Sequence, residues 1–163
     1  MALTADILTD RYGATDGHQP LNKLLKSGVT VYRGSVAALD GSGGANTGTL
    51  KNESTVASTD IVLGLVSKAG SGAPNQSPGI VGGFGVTVEI ETGTFILASG
   101  TGADALGITT NGTAVYLLDE VTVGATVGGG RPVAGYQIAC NADDASIPAG
   151  FVAVKLGTTF GGP

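Results

Sequence analysis

The sequence predicts a mainly β protein, with a single small antiparallel β-barrel or β-sandwich domain that follows an extended N-terminal arm. From residue 29 onward, short apolar runs alternate with clusters of Gly, Ser, Thr, Asn and Asp, as in strands joined by turns. Glycine makes up 29 of the 163 residues, and each glycine inside a helix would cost about 1 kcal/mol relative to alanine. No helical apolar pattern separates the runs, which argues against alternating strands and helices.

About nine candidate strands lie in the β domain, residues 29–156, and residues 157–163 form a short C-terminal tail. Residues 61–66 are apolar throughout, as in a strand that is buried on both faces. Asp119 and Glu120 predict a tight hairpin, and residues 33–34 a bulge or tight bend. The chain shows no sequence repeat of the kind that predicts a solenoid. The candidate strands are residues 29–32, 35–39, 61–66, 86–91, 94–97, 115–118, 121–123, 132–139 and 151–156.

Residues 1–28 predict the extended arm, because they show no strand alternation and little periodicity. Their charges cancel, so the net charge of −5 falls on residues 29–163. Residues 21–26 could form a short helical turn, but an isolated helix of that length is marginal in water. We therefore expect another chain to order the arm, and we expect deletion of residues 2–27 to leave a folded β body. The apolar side chains of the arm are Leu3, Ile7, Leu8, Tyr12, Leu21, Leu24 and Leu25.

The composition and charge of the chain limit the kinds of partner that it can bind. Hydrophobic residues make up 42% of the chain and charged residues 13%, which excludes the usual composition of disordered proteins. Eight basic against 13 acidic residues argue against nucleic-acid binding. The apolar runs are far shorter than the roughly 20 residues that span a bilayer, so we expect no membrane partner. The chain opens without the basic and apolar regions of a secretory signal, and its one cysteine allows no internal disulfide, so we expect folding in a reducing cytoplasm.

Few residues suggest catalysis. The only histidine, His18, lies in the arm, and Cys140 ends an apolar strand, where cysteine acts as a small hydrophobe. Glu89 and Glu91 would lie about 6.5–7 Å apart on one strand face, a separation found in inverting glycosidases. Because their side chains would point in parallel, the polar face of a strand is the better interpretation. We find no metal-ligand spacing and no phosphate-binding loop, so we expect no cofactor, no metal and no enzymatic activity.

Seven segments follow one another along the chain in an order that resembles the head decoration (capsid cement) proteins of tailed bacteriophages. They are residues 1–6, 28–40, 62–66, 93–97, 115–123, 131–135 and 150–156. The resemblance covers most of residues 1–156. The chain departs from the family pattern in the loop at residues 70–85 and in the tail at residues 157–163.

The resemblance implies a β-tulip-like domain that forms a homotrimer and binds the outer surface of the phage head at local threefold axes. Its partners would be the major capsid protein and other copies of itself, and its location would be the virion surface after synthesis in the host bacterial cytoplasm. The arm would bind the capsid, and Arg131, beside Pro132 and a glycine-rich loop, is a candidate subunit contact. Bridging neighbouring capsid proteins would stabilise the shell through many weak contacts repeated by symmetry.

Two other classes of function stay open. A receptor-binding or glycan-binding fibre module would use the Gly/Ser/Thr-rich loops, although aromatic platforms for sugar stacking are scarce. A glycan hydrolase would use Glu89 and Glu91 as acid and base.

Overall fold

The computed structural model describes residues 21–44, 48–51, 57–69, 80–81 and 85–157. Within these residues the chain forms twelve β-strands and two short 3-10 turns, at Gly102–Asp104 and Ile108–Thr110. No helix of this part of the chain is both long and apolar enough to cross a membrane. The strands are β1 (Leu21–Leu24), β2 (Thr30–Val31), β3 (Val36–Leu39), β4 (Leu50–Lys51), β5 (Ile61–Ala69), β6 (Ile80–Val81), β7 (Thr87–Glu91), β8 (Gly93–Ser99), β9 (Ala114–Leu117), β10 (Thr122–Gly124), β11 (Val133–Cys140) and β12 (Phe151–Leu156).

The strands form two five-stranded units and one separate pair. The first unit is a sheet with the order β1-β7-β5-β3-β4, and the second is a closed barrel with the order β10-β8-β12-β11-β9. Neighbouring strands are antiparallel, except that β8 and β10 are parallel. Strands β2 and β6 pair with each other outside both units. The predicted mainly β fold class is confirmed, and its C-terminal half is a closed barrel.

The sheet and the barrel are structural repeats of one another. When β1, β3, β4, β5 and β7 are matched with β8, β9, β10, β11 and β12, every strand pairing of the sheet recurs in the barrel, which adds the pairing of β8 with β10 that closes it. The parallel contact is repeated as well, since Leu25 bridges Leu50 and Ser99 pairs with Val123. We call the sheet the first repeat and the barrel the second repeat.

Irregularities of the strands also match between the repeats. Between β5 and β7, Ser67 is an extra residue without a partner in the register, and Ile138 is the extra residue between β11 and β12. On the other edges of β5 and β11, Leu63 and Ala134 are skipped in the same way. Because bulges fix the local twist of a strand, the two repeats bend alike.

Each repeat enters its second strand through the same turn. Gly34 and Gly112 have left-handed backbone angles, with φ of +85° and +80°, which glycine adopts without strain. The residues that follow, Ser35 and Thr113, each donate a hydroxyl hydrogen bond of 2.7 Å to the carbonyl three residues earlier. The predicted tight bend at residues 33–34 is confirmed.

The first repeat has its own core and also covers part of the second. Its core contains Leu25, Val31, Ala37, Leu50, Val66, Val88 and Ile90. The core of the barrel contains Phe95, Leu97, Val115, Leu117, Val123, Ala134, Cys140, Val152, Val154 and Leu156. The opposite face of β3 and β5 joins this second core through Val36, Ala38, Val62 and Leu65. Residues 62–66 of β5 thus contribute buried side chains to both faces as predicted, although Leu63 is half-buried and Ile61 is 46% exposed.

All nine candidate strands are present, and the predicted hairpin at Asp119 and Glu120 is confirmed by a 2.9 Å hydrogen bond from the Leu118 N–H to the Thr122 carbonyl. The alternative of a helical turn at residues 21–26 is wrong, because Leu21–Leu24 forms β1, which pairs with β7. The edge of β7 supplies the backbone partners that a lone helical turn would lack. Residues 21–24 of the predicted arm thus belong to the first repeat.

Candidate binding surfaces

Strand β1 lies where the predicted arm joins the body. It is an outer strand of the first repeat, and its Leu24 is 51% exposed. Leu25, which follows it, is only 3% exposed and packs in the first core. The Leu25 side chain therefore stabilises the sheet, and its contact with a capsid stays a prediction. The predicted contacts Leu3, Ile7, Leu8 and Tyr12 lie outside the described residues, as does His18.

The second repeat presents an apolar outer face, which we call the distal face. It consists of Ala114, Tyr116, Val133 and Tyr136. Ala114 pairs with Tyr136 and Tyr116 pairs with Val133 across β9 and β11, so all four side chains lie on one side. Tyr136 is 38% exposed and the other three residues are half-buried.

The first repeat presents an apolar end, which we call the open end. It consists of Leu21, Leu39, Ile61 and Leu63. Leu39 and Leu63 are half-buried and pack against the first core, while Leu21 is 38% and Ile61 46% exposed. The residues that occupy the matching positions of the second repeat are all buried. They are Phe95, Leu117, Pro132 and Ala134.

Arg131, the predicted subunit contact, forms an ion pair within the chain. Its Nη1 donates to Asp104 Oδ1 at 2.9 Å and to Oδ2 at 3.1 Å. Desolvation raises the pKa of Asp104, but hydrogen bonds from Thr126 and Arg131 outweigh it and hold the pKa below its usual value. The ion pair fastens the glycine-rich loop after β10 to the turn at Gly102–Asp104. Contact of Arg131 with another subunit stays a prediction.

A buried amide fixes the loop that precedes β9. The Gln137 side chain is fully buried, and its Nε2 donates to the Gly107 carbonyl at 2.9 Å and to Asn111 Oδ1 at 2.6 Å. Its Oε1 accepts a 2.7 Å hydrogen bond from Thr110 Oγ1. Because every polar atom of the amide has a partner, this network holds the loop rigidly against β11.

The loop after β11 is joined to the same network through Asp143. Asn111 Nδ2 donates to Asp143 Oδ2 at 2.7 Å, and the Cys140 N–H donates to Oδ1 at 2.6 Å. The hydrogen bond from the Cys140 N–H is the main cause that lowers the pKa of Asp143, and Asn111 adds to it. The loops before β9 and after β11 are thus fastened to each other.

Glu89, Glu91 and Cys140 are the described residues that were considered for catalysis. Glu89 and Glu91 are half-buried on β7, and Glu89 Oε1 accepts a 2.9 Å hydrogen bond from Ser67 Oγ. Cys140 is buried in the second core, which confirms its interpretation as a small hydrophobe. Among the described residues, no three His, Cys, Asp or Glu side chains are grouped so that they could hold a metal ion.

The chain matches no family model and none of the curated proteins. The resemblance to head decoration proteins therefore stays a prediction.

Proposed function

We propose that this chain is a structural virion protein that decorates the head of a tailed phage. It binds the outer surface at local threefold axes and bridges neighbouring copies of the major capsid protein. The observation that carries the proposal is the position of β1. This edge strand follows directly after residues 1–20 and exposes Leu21 at the junction and Leu24 at its other end.

An apolar arm attached to an outer strand suits attachment to another protein. Backbone groups along an extended segment can pair with a strand of the partner, while leucines fill its pockets. The charges of residues 1–28 cancel, so the arm and β1 together add no net charge to the acidic body.

The acidic body suits the outer side of a shell. Residues 29–163 carry the full net charge of −5, whereas a protein that faces packaged DNA would be basic. Attachment at many symmetry-related positions multiplies weak contacts, and each bridge between capsid proteins opposes opening of the shell.

Binding to shells tests the proposal. We would mix the full-length protein, and a variant that lacks residues 2–20, with expanded capsids of the cognate phage that carry no decoration protein. We expect the full-length protein to sediment with the shells and the truncated protein to bind about tenfold more weakly or worse, because the arm supplies the anchor. Leu24→Asp should weaken binding as well, while Val127→Asp, at a residue that is 71% exposed on a distant loop, is the matched control.

Equal binding by the truncated protein would show that the arm is not the anchor. Absence of binding by the folded full-length protein would overturn the proposal. Binding to host cells would then favour a fibre module, and loss of a glycan-hydrolysing activity on Glu91→Gln would favour an enzyme.

A further inference from the structure

We infer that copies of this chain associate head to tail, with the distal face of one copy seated on the open end of the next. The inference follows from the repeat architecture and does not rest on the proposed capsid role. One such interface already exists inside the chain, between its two repeats.

Within the chain, the outer face of β3 and β5 covers the end of the barrel. Val36, Ala38, Val62 and Leu65 of this face are buried and belong to the core cluster of the second repeat. The Val36 N–H donates a 2.8 Å hydrogen bond to the carbonyl of Glu120, in the turn between β9 and β10. Strand β5 also contacts β11 and β12. The first repeat therefore docks by its outer face onto an end of the second.

The distal face of the second repeat corresponds, position by position, to the outer face of β3 and β5 in the first repeat. Val36 pairs with Leu65 and Ala38 with Val62 in the first repeat. In the second repeat, Ala114 pairs with Tyr136 and Tyr116 with Val133 at the matching register positions. The pairing is identical, but the distal face is less buried, since Tyr136 is 38% exposed whereas Val36, Ala38, Val62 and Leu65 are at most 3% exposed. All four of its residues are uncharged, and tyrosine is enriched in protein interfaces.

The open end of the first repeat corresponds to the end of the second repeat on which the first repeat docks within the chain. At the register positions of the open end, the second repeat has Phe95, Leu117, Pro132 and Ala134, which are buried. Phe95, Leu117 and Ala134 share a core cluster with the docked face of the first repeat. Their counterparts Leu21, Leu39, Ile61 and Leu63 are apolar too, yet Leu21 and Ile61 are exposed. The register supports this match, since Leu21 pairs with Ile90 as Phe95 pairs with Val154.

Among the described residues, the distal face and the open end are thus each more exposed than the matching surface that is buried between the repeats. When the distal face of one copy docks on the open end of another, as the first repeat docks on the second within the chain, both surfaces are buried together. Such a contact is heterologous, so it forms a closed ring if the rotation between copies closes, and an open filament if it does not. A ring of three copies would place six repeats around one axis.

The test is the mass of the full-length protein in solution, measured by sedimentation velocity over a range of concentrations. We expect the wild type to associate and either Tyr136→Glu or Ile61→Glu to weaken association about tenfold or more, because each places a charge in one of the two surfaces. Val127→Glu, at an exposed apolar residue outside both surfaces, should associate like the wild type.

Mixing the two variants distinguishes a head-to-tail contact from a symmetric one. The Tyr136→Glu copy keeps its open end and the Ile61→Glu copy keeps its distal face, so an equimolar mixture should form dimers that grow no further. Thermal melts confirm that each variant is folded, and Ile61→Ser replaces Ile61→Glu if the latter is not. A wild type that stays at 15.9 kDa at every concentration would overturn the inference, as would a mixture that stays monomeric. Either result would leave shell binding unaffected, since sedimentation with capsids measures it separately.

Discussion

Two glycines set the approach of neighbouring strands in both repeats. A Cβ atom on Gly64 would lie 2.0 Å from the carbonyl oxygen of Glu91, and one on Gly135 would lie 2.0 Å from that of Lys155. Real Cβ atoms do not come so close to a backbone oxygen, and neither oxygen can move without shifting its strand. Glycine at these positions is therefore a requirement of the shared topology.

We expect Gly64→Ala and Gly135→Ala to destabilise the protein by about 3 kcal/mol each, which would lower the Tm by about 6–12 °C. Differential scanning calorimetry measures this. Gly128→Ala is the control, because a Cβ there meets no atom within 4 Å. Equal Tm values for all three variants would contradict the close approach.

At the residue scale, Asp143 makes the stability of the folded protein depend on pH. Its pKa is lowered in the folded protein by the hydrogen bonds from the Cys140 N–H and from Asn111. A lowered pKa means that the stabilisation is complete above the ordinary value of about 3.9 and is lost as the pH falls through the folded value. We expect the Tm of the wild type to drop below about pH 4, and Asp143→Asn to show a smaller drop. Parallel curves for the two proteins would show that this carboxylate does not contribute.

At the scale of elements, the pairing of β1 with β7 places the end of the arm before Leu21 and not at residue 28. Since Leu21–Leu24 pairs with β7 and Leu25 is buried, the expectation that residues 2–27 can be deleted without harm to the body must be revised. We expect deletion of residues 2–20 to leave the Tm nearly unchanged. Deletion of residues 2–27 should cost at least about 2–5 kcal/mol, the usual effect of removing one buried leucine side chain. Urea denaturation of both variants measures the difference, and equal loss in the two would contradict the role of β1.

The strands themselves were largely predictable, but their shared pattern was not. Period-two alternation located β7, and uninterrupted apolar residues located β5. Strand β1 lacks such a signal, because its stability comes from β7 rather than from its own side chains. The repeat cannot be recognised in the sequence, because equivalent positions share a place in the strand register and not a residue type. Val66, for example, matches Gln137, and Leu65 matches Tyr136. A Gly followed by Ser or Thr before β3 and β9 was the one local signal.

At the scale of the whole molecule, the same position has different surroundings in the two repeats. Leu65 is 3% exposed between the repeats, whereas its counterpart Tyr136 is 38% exposed on the distal face. The candidate surfaces could not be predicted from sequence, because both sets of side chains are apolar. Only the packing of one repeat on the other decides which set is covered.

We expect Leu65→Ala to cost about 2–5 kcal/mol of unfolding free energy, as in other cores, and Tyr136→Ala to cost less than about 1 kcal/mol in the monomer. Urea denaturation at low protein concentration measures both, so that self-association does not contribute. Similar losses for the two variants would mean that the outer faces of the repeats do not differ in burial.

The most direct test of the proposed role is a cryo-electron microscopy reconstruction of expanded capsids saturated with this protein. We predict density on the outer surface at the local threefold axes, with residues 1–20 ordered along neighbouring capsid proteins. Bare shells in the presence of folded protein, or density on the inner surface, would contradict the account.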